Sequence, residues 1–253
     1  KQGVATHSSG NHGAALALAG RLYEIPACVV VPSDALQVKK DAIVGYGAKV
    51  IECEPTLAGR EEALNRVVAD TGAIFVHPYD DNKVIAGAGT AAHEFVEQVE
   101  DLQVIMTPIG GGGLLAGTAL VSEAKEIRVY GAEPAGADDA SRSVRSGERV
   151  LEHEPNTICD GLLTTVGQRN WEVIRQRVED ILTVTDHDTL DAMYLIWTRM
   201  KQVVEPSSAV ALAAVLKYRG LFKGQRVGII LTGGNVDLRD LSFQGSDKSV
   251  NLS

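Results

Sequence analysis

The sequence predicts an α/β protein built as two open units with largely parallel sheets. Short apolar runs alternate with amphipathic helical stretches, the pattern of repeated β-α units. Glycine-rich loops follow two of those runs, at the strand ends where open α/β sheets place their ligands. The alternation breaks after three strands, at the turn formers His77-Pro78-Tyr79-Asp80-Asp81.

The first unit spans residues 4–77. Strands are expected at 27–32, 49–53 and 74–77, where Val and Ile gather in short runs between turn residues. Helices at 11–23, 37–46 and 61–71 fill the intervals, and the first is alanine-rich, the composition that favours helix most. The second unit spans residues 78–244. Helices at 83–99 and 114–124 flank a strand at 104–109, further strands fall at 127–134, 181–185 and 226–232, and helices at 190–204 and 207–218 precede the last. Residues 245–253 are small and polar and are expected to be poorly ordered.

With 253 residues, 45% of them hydrophobic, the chain can bury a sizeable core. Its net charge of −9 carries no basic stripe, which argues against nucleic acid and anionic membranes and for a small-molecule partner. Cys28, Cys53 and Cys159 are odd in number and far apart, as in a reducing compartment, read here as cytoplasm. No apolar run reaches the roughly 20 residues of a membrane span. The opening Lys1-Gln2-Gly3-Val4 has no initiator methionine and reads as an internal cut.

Four loops could carry chemistry. In Pro108-Ile109-Gly110-Gly111-Gly112-Gly113-Leu114, four residues without Cβ let backbone N–H groups approach one phosphate, and a helix start adds its positive dipole end. A dinucleotide site competes with that reading, because Gly111, Gly113 and Ala116 fit a G-x-G-x-x-A spacing and Glu133 ends the next strand. In Ser8-Ser9-Gly10-Asn11-His12-Gly13, hydroxyls, an amide and an imidazole bunch at a helix N-terminus, which suits a carboxylate as well as it caps the helix. Thr232-Gly233-Gly234-Asn235 ends another apolar strand and could border the same cavity. Glu133, Asp138 and Asp139 crowd a loop whose oxygens suit Mg²⁺ or Ca²⁺, or serve only as a solvated acidic loop.

Taken in order, these loops together with Gly131-Ala132-Glu133-Pro134 and Glu205-Pro206-Ser207 resemble the serine racemase and serine/threonine dehydratase family, from about residue 4 to 241. Five motifs in one order decide against the dinucleotide reading. The resemblance implies the tryptophan synthase β-like fold of type II pyridoxal-phosphate enzymes, acting as a homodimer. It implies elimination of water from serine, threonine or 3-hydroxyaspartate, giving a 2-oxo acid and ammonia, with serine or aspartate racemisation alongside. Gly110, Gly111, Gly112, Gly113 and Leu114 would hold the pyridoxal phosphate, with Asn11 at its ring hydroxyl, Thr232 at its ring nitrogen and Glu205 near the ring. Ser8, Ser9, Gly10 and His12 would hold the substrate carboxylate, Ser9 would also exchange a proton at Cα, and Arg60 and Asp160 would be further polar contacts. Glu133, the Ala137 carbonyl and Asp139 would bind Mg²⁺, Mn²⁺ or Ca²⁺.

Two departures from the family pattern stand out. Its Schiff-base lysine lies upstream of the Ser-Ser-Gly-Asn-His motif, and only seven residues precede Ser8 here. The 253 residues alone are therefore expected to lack turnover, to miss part of the large unit and to expose apolar surface. A non-catalytic relative that binds the cofactor and an amino acid is the alternative. The second departure is Ala14, which replaces a glutamine of the nucleotide-activated members and argues against ATP activation, although Tyr46 and Lys201 match that region.

Overall fold

A computed structural model describes residues 2–8, 10–35 and 37–237. The expected disorder of residues 245–253 lies outside the described residues.

Two four-stranded sheets organise the chain, and every paired strand runs parallel. The first contains β1 (Val4–His7), β2 (Ala27–Pro32), β3 (Lys49–Cys53) and β4 (Ile74–Phe75), in the order β3-β2-β1-β4. Parallel neighbours need long crossovers, and α1 (Asn11–Leu22), α2 (Gln37–Gly45) and α3 (Leu57–Thr71) supply them. Alternation along the strands sorts side chains to two faces: Val29 and Val31 meet Ala17 and Ile43, whereas Val30 and Ala5 meet Leu64 and Val67. Helices therefore cover both faces.

The second sheet repeats this plan with β5 (Val104–Pro108), β6 (Arg128–Pro134), β7 (Asp180–Val184) and β8 (Val227–Ile229), in the order β7-β6-β5-β8. Val104, Met106, Tyr130, Ala132, Leu182 and Val184 pack on α8 (Asp186–Leu195) and α9 (Pro206–Lys217). Val129 and Ile181 face the other way, toward α4 (Asn82–Gln98), α5 (Gly113–Glu123) and α7 (Gln168–Arg177). Gly89 and Gly117 let α4 and α5 touch at the backbone, since a Cβ on Gly117 would lie 2.5 Å from the Ile85 carbonyl oxygen.

Local signals set the helix ends. Asp81 accepts from the N–H groups of Lys83 (2.7 Å) and Val84 (3.3 Å) and starts α4. Asp81→Ala is expected to cost about 1 kcal/mol, measured as a shift in the denaturant midpoint; no shift would mean that water replaces the cap. Thr185 and Asp188 close a reciprocal capping box on α8, and Pro206 opens α9 where its missing N–H costs nothing.

The structure adds three elements that the sequence reading passed over: β1, α6 (Asp139–Ser146) and α7. Strand β1 has only four residues, and α7 is polar except where Trp171 and Ile174 turn inward. Helix α3 starts at Leu57, four residues before the expected position, because the Thr56 hydroxyl caps it through Gly59 N. Strand β8 stops at Ile229, short of the expected end.

Candidate active site

The C-terminal ends of β1 and β5 carry the two glycine-containing loops, and β8 leads into the third. The Ser8 hydroxyl accepts from Gly10 N (3.2 Å) and Gly13 N (3.1 Å), so it shapes the tip of α1. Ser9 lies outside the described residues. One step on, Asn11 donates from Nδ2 to Glu205 Oε1 (2.5 Å) and accepts at Oδ1 from Asn235 Nδ2 (2.6 Å). These bonds span 194 and 224 residues and bring the α1 tip against the loop after β8. A Cβ on Gly233 would lie 2.7 Å from Asn11 Nδ2 and 2.8 Å from Glu205 Oε1, so only glycine leaves room there.

The tetraglycine loop comes close to the same cluster. A Cβ on Gly110 would lie 3.2 Å from the Gly161 carbonyl oxygen, while Gly161 N donates to Ser207 Oγ (2.9 Å) beside Glu205. Gly112 takes φ 91°, a left-handed turn that leads into α5. Asn170 holds the loop's shape by donating from Nδ2 to the carbonyls of Gly111 (2.7 Å) and Tyr79 (3.1 Å). The N–H groups of Gly110 to Gly113 donate to no acceptor among the described residues. Together with the helix start they form a cradle for an anion.

Glu205 is 1% exposed, and its Oε2 has no hydrogen-bond partner among the described residues. Burial raises its pKa, against the opposing influence of Lys39 and the Asn11 bond. Lys39 itself is 4% exposed; it pairs with Asp160 and would lie 3.4 Å from a Cβ on Gly10. No local pattern in the sequence marks this lysine, because its partner lies far along the chain.

On the flank, His7 stacks on Phe75, and His77 meets Tyr79 edge-on with centroids 4.8 Å apart. His12 is tied to the Val76 backbone, its buried Nε2 has no hydrogen-bond partner among the described residues, and burial depresses its pKa to about 4. Arg60 stands close enough to depress the pKa of His7, and its own buried Nε is unpartnered among the described residues. Because His12 takes up its proton in the unfolded chain near pH 6.5 but in the fold only near 4, its stabilising contribution is present above 6.5 and is lost as pH falls through that window. The loss should reach on the order of 3 kcal/mol by pH 4, with His7 and His77 adding the same sign. Urea unfolding at pH 7 and 5 should show it, and a His12→Gln variant should show a flatter pH slope.

Glu133 and Asp139 form a second polar cluster around the start of α6. Glu133 is buried at the end of β6 and accepts from Ser141 N (2.6 Å) and Ala140 N (3.3 Å), and burial raises its pKa to about 8. Asp139 accepts from Val166 N (3.1 Å), and burial raises its pKa as well. Two buried carboxyls this close, each pushed toward the neutral form, fit a cation as their partner. Among the described residues, however, no three His, Cys, Asp or Glu side chains already converge as ligands. Thr232 is exposed, and its N–H is held by Ser208 Oγ (2.8 Å).

A cradle of free N–H groups, a buried carboxylate with one idle oxygen and a serine-bearing helix tip thus lie together at the strand ends, an arrangement that suits an anion and a further polar group. The comparisons with known proteins agree: the chain belongs to the pyridoxal-phosphate dependent enzyme family, which it matches over residues 1–233. It is 50% identical to a β-hydroxyaspartate dehydratase of Paracoccus denitrificans over 244 residues, covering 96% of this chain and 78% of that protein. A serine racemase of Dictyostelium discoideum is 48% identical over 250 residues, covering 95% and 76%. The structure of maize serine racemase superposes with a TM-score of 0.91 at 41% identity, covering 94% and 74%. The fold is thus that of type II pyridoxal-phosphate enzymes, as the resemblance implied. Three free cysteines are present, and no helix among the described residues is long and apolar enough to cross a membrane.

Proposed function

We propose that the protein is a dehydratase of β-hydroxy amino acids, releasing a 2-oxo acid and ammonia, with racemisation of serine or aspartate as a side activity. The observation that carries this is the meeting of Asn11, Glu205 and Gly233 beside the tetraglycine loop, which joins a carboxylate-binding helix tip to a phosphate cradle. The free N–H groups and the idle Glu205 Oε2 fit pyridoxal phosphate. When bound, that cofactor supplies an electron sink that acidifies the substrate Cα–H.

In this reading Gly110 to Gly113 and Leu114 hold the phosphate, Asn11 and Glu205 orient the ring, and Thr232 offers the ring nitrogen a neutral hydroxyl. Ser8, Gly10 and His12 receive the substrate carboxylate, Ser9 moves the proton on one face of Cα, and Asp160 is kept in place by Lys39. Glu133, the Ala137 carbonyl and Asp139 hold a divalent cation that neutralises buried charge. Residues 4–77 and 78–244 act as two units, which the separate sheets on either side of the 77–81 link support.

Arg60 favours an acidic side chain, because it carries an idle Nε and a positive charge near His7. 3-Hydroxyaspartate is therefore ranked first, ahead of serine and threonine. Arg60→Met is expected to raise the KM for 3-hydroxyaspartate about tenfold or more and that for serine much less. An equal effect on both would remove the ranking. The function itself is tested with protein expressed from its complete reading frame, supplied with pyridoxal phosphate and Mg²⁺. Equal amounts of oxo acid and ammonia are expected, and no product from any of the three amino acids would overturn the reading.

A further inference from the structure

A ring nitrogen holds the turn by which the chain leaves the first sheet. His77 Nδ1 accepts from Tyr79 N (3.2 Å) and from Asp80 N (2.8 Å). A nitrogen that accepts two N–H groups carries no proton, so the ring is the neutral tautomer with its hydrogen on Nε2. Tyr79 in turn has little slack. Its carbonyl accepts from Asn170 Nδ2 (3.1 Å), and its ring meets the His77 ring edge-on with centroids 4.8 Å apart. The same residue backs the tetraglycine loop: a Cβ on Gly111 would lie 2.3 Å from its ring, and one on Gly113 would lie 3.1 Å from its carbonyl oxygen.

A proton on Nδ1 would undo that arrangement. An imidazolium carries hydrogen on both nitrogens, so both bonds to the turn would be lost and one N–H would face two others. The surroundings of the ring divide between the two states. Burial resists the charge, as does the Arg169 guanidinium on α7, and the His7 and His12 rings of the first unit resist it once they are protonated; Asp80 and Asp81 favour it. Burial prevails and holds the ring's pKa below the ordinary histidine value of 6.5. The neutral ring is therefore the form present at neutral pH, and the proton arrives only on acidification.

We propose that His77 is a positioning residue for the phosphate cradle: its neutral ring holds the turn that sets Tyr79 behind the four glycines, and protonation of the ring frees that turn and weakens the grip on phosphate. The inference rests on the pyridoxal-phosphate reading given above and adds to it a residue that acts through the backbone and ring of Tyr79. Linkage makes the effect reciprocal. A cofactor that needs the turn in place must lower the proton affinity of His77 by the same factor.

The test is ring NMR of ¹⁵N-labelled histidine in protein expressed from its complete reading frame, with His77 assigned through its own backbone and titrated from about pH 8 to 5 with and without pyridoxal phosphate. The expected result is a neutral ring protonated at Nε2, whose pKa falls by about half a unit or more when the cofactor is bound. Cofactor titration followed by absorbance should show wild-type affinity falling about threefold more than that of His77→Asn on acidification, because an amide oxygen accepts the same two N–H groups and takes up no proton. His77→Leu, which cannot accept, should bind about tenfold more weakly already at neutral pH, and His77→Asn should restore most of that loss. Bound cofactor with an unmoved His77 pKa, or an acid slope in His77→Asn equal to that of wild type, would overturn the positioning role and leave the pyridoxal-phosphate reading standing. Absence of bound cofactor at every pH would overturn both. The wild-type ring titration decides the point even if a variant fails to fold.

Discussion

Gly111→Ala is expected to lower affinity for pyridoxal phosphate by about 100-fold or more, with a loss of stability of about 1–3 kcal/mol. The cause is steric. A Cβ at Gly111 would lie 2.3 to 2.5 Å from three atoms of the Tyr79 ring. That ring has little freedom to retreat, since its own backbone carbonyl is held by Asn170 and its edge is packed on His77. The loop must therefore shift, and its N–H groups lose their common focus. Cofactor titration followed by absorbance, alongside urea unfolding, separates the two effects. Unchanged affinity would show that the loop does not grip the phosphate.

The second large effect is expected from Asn170→Asp. Asn170 is fully buried and spends its amide nitrogen on two carbonyls, Gly111 at 2.7 Å and Tyr79 at 3.1 Å. A carboxylate in its place presents oxygen to oxygen in a site without water access, so it must either take up a proton or push the loop away. Stability should fall by about 3 kcal/mol or more at neutral pH, and cofactor affinity should fall with it. The deficit should shrink as pH is lowered toward the range where the new carboxyl protonates, which is the signature of a charge effect. A loss independent of pH would assign the effect to shape alone.

The parts of the site that were legible in the sequence are those whose chemistry is local. The four glycines, the Ser8 to Gly13 tip and the Thr232 to Asn235 turn each announce themselves within a few residues, because backbone exposure at a strand end needs adjacent small or polar residues. The residues that join them were not legible. Asn170 reaches Gly111 across 59 residues, and Lys39 reaches Asp160 across 121. Neither stands in a periodic or motif-like setting: α7 is mostly charged on its outer face, and Lys39 reads as one of two ordinary lysines on a surface helix. The fold class was readable because alternation of apolar runs and helices is a property of whole segments. Strand β1 and helices α6 and α7 escaped because four residues, or a mainly polar turn, carry too little pattern.

The strap between the sheets is fastened at both ends and bare in the middle. Tyr79 and Asp80 are fastened to the α7 side, through Asn170 to the Tyr79 carbonyl and through Asp80 to the N–H groups of Gln168 (3.2 Å) and Arg169 (2.8 Å). At the other end Val76 N still belongs to the first sheet, bonded to Ala5 O (2.8 Å). Any rocking of one sheet against the other is thereby concentrated in the peptide units around His77 and Pro78, and the His77 ring, which accepts from Tyr79 N and Asp80 N, serves as the bearing. Amide exchange should consequently be quick at His77 and slow at Arg169, whichever way the sheets lean.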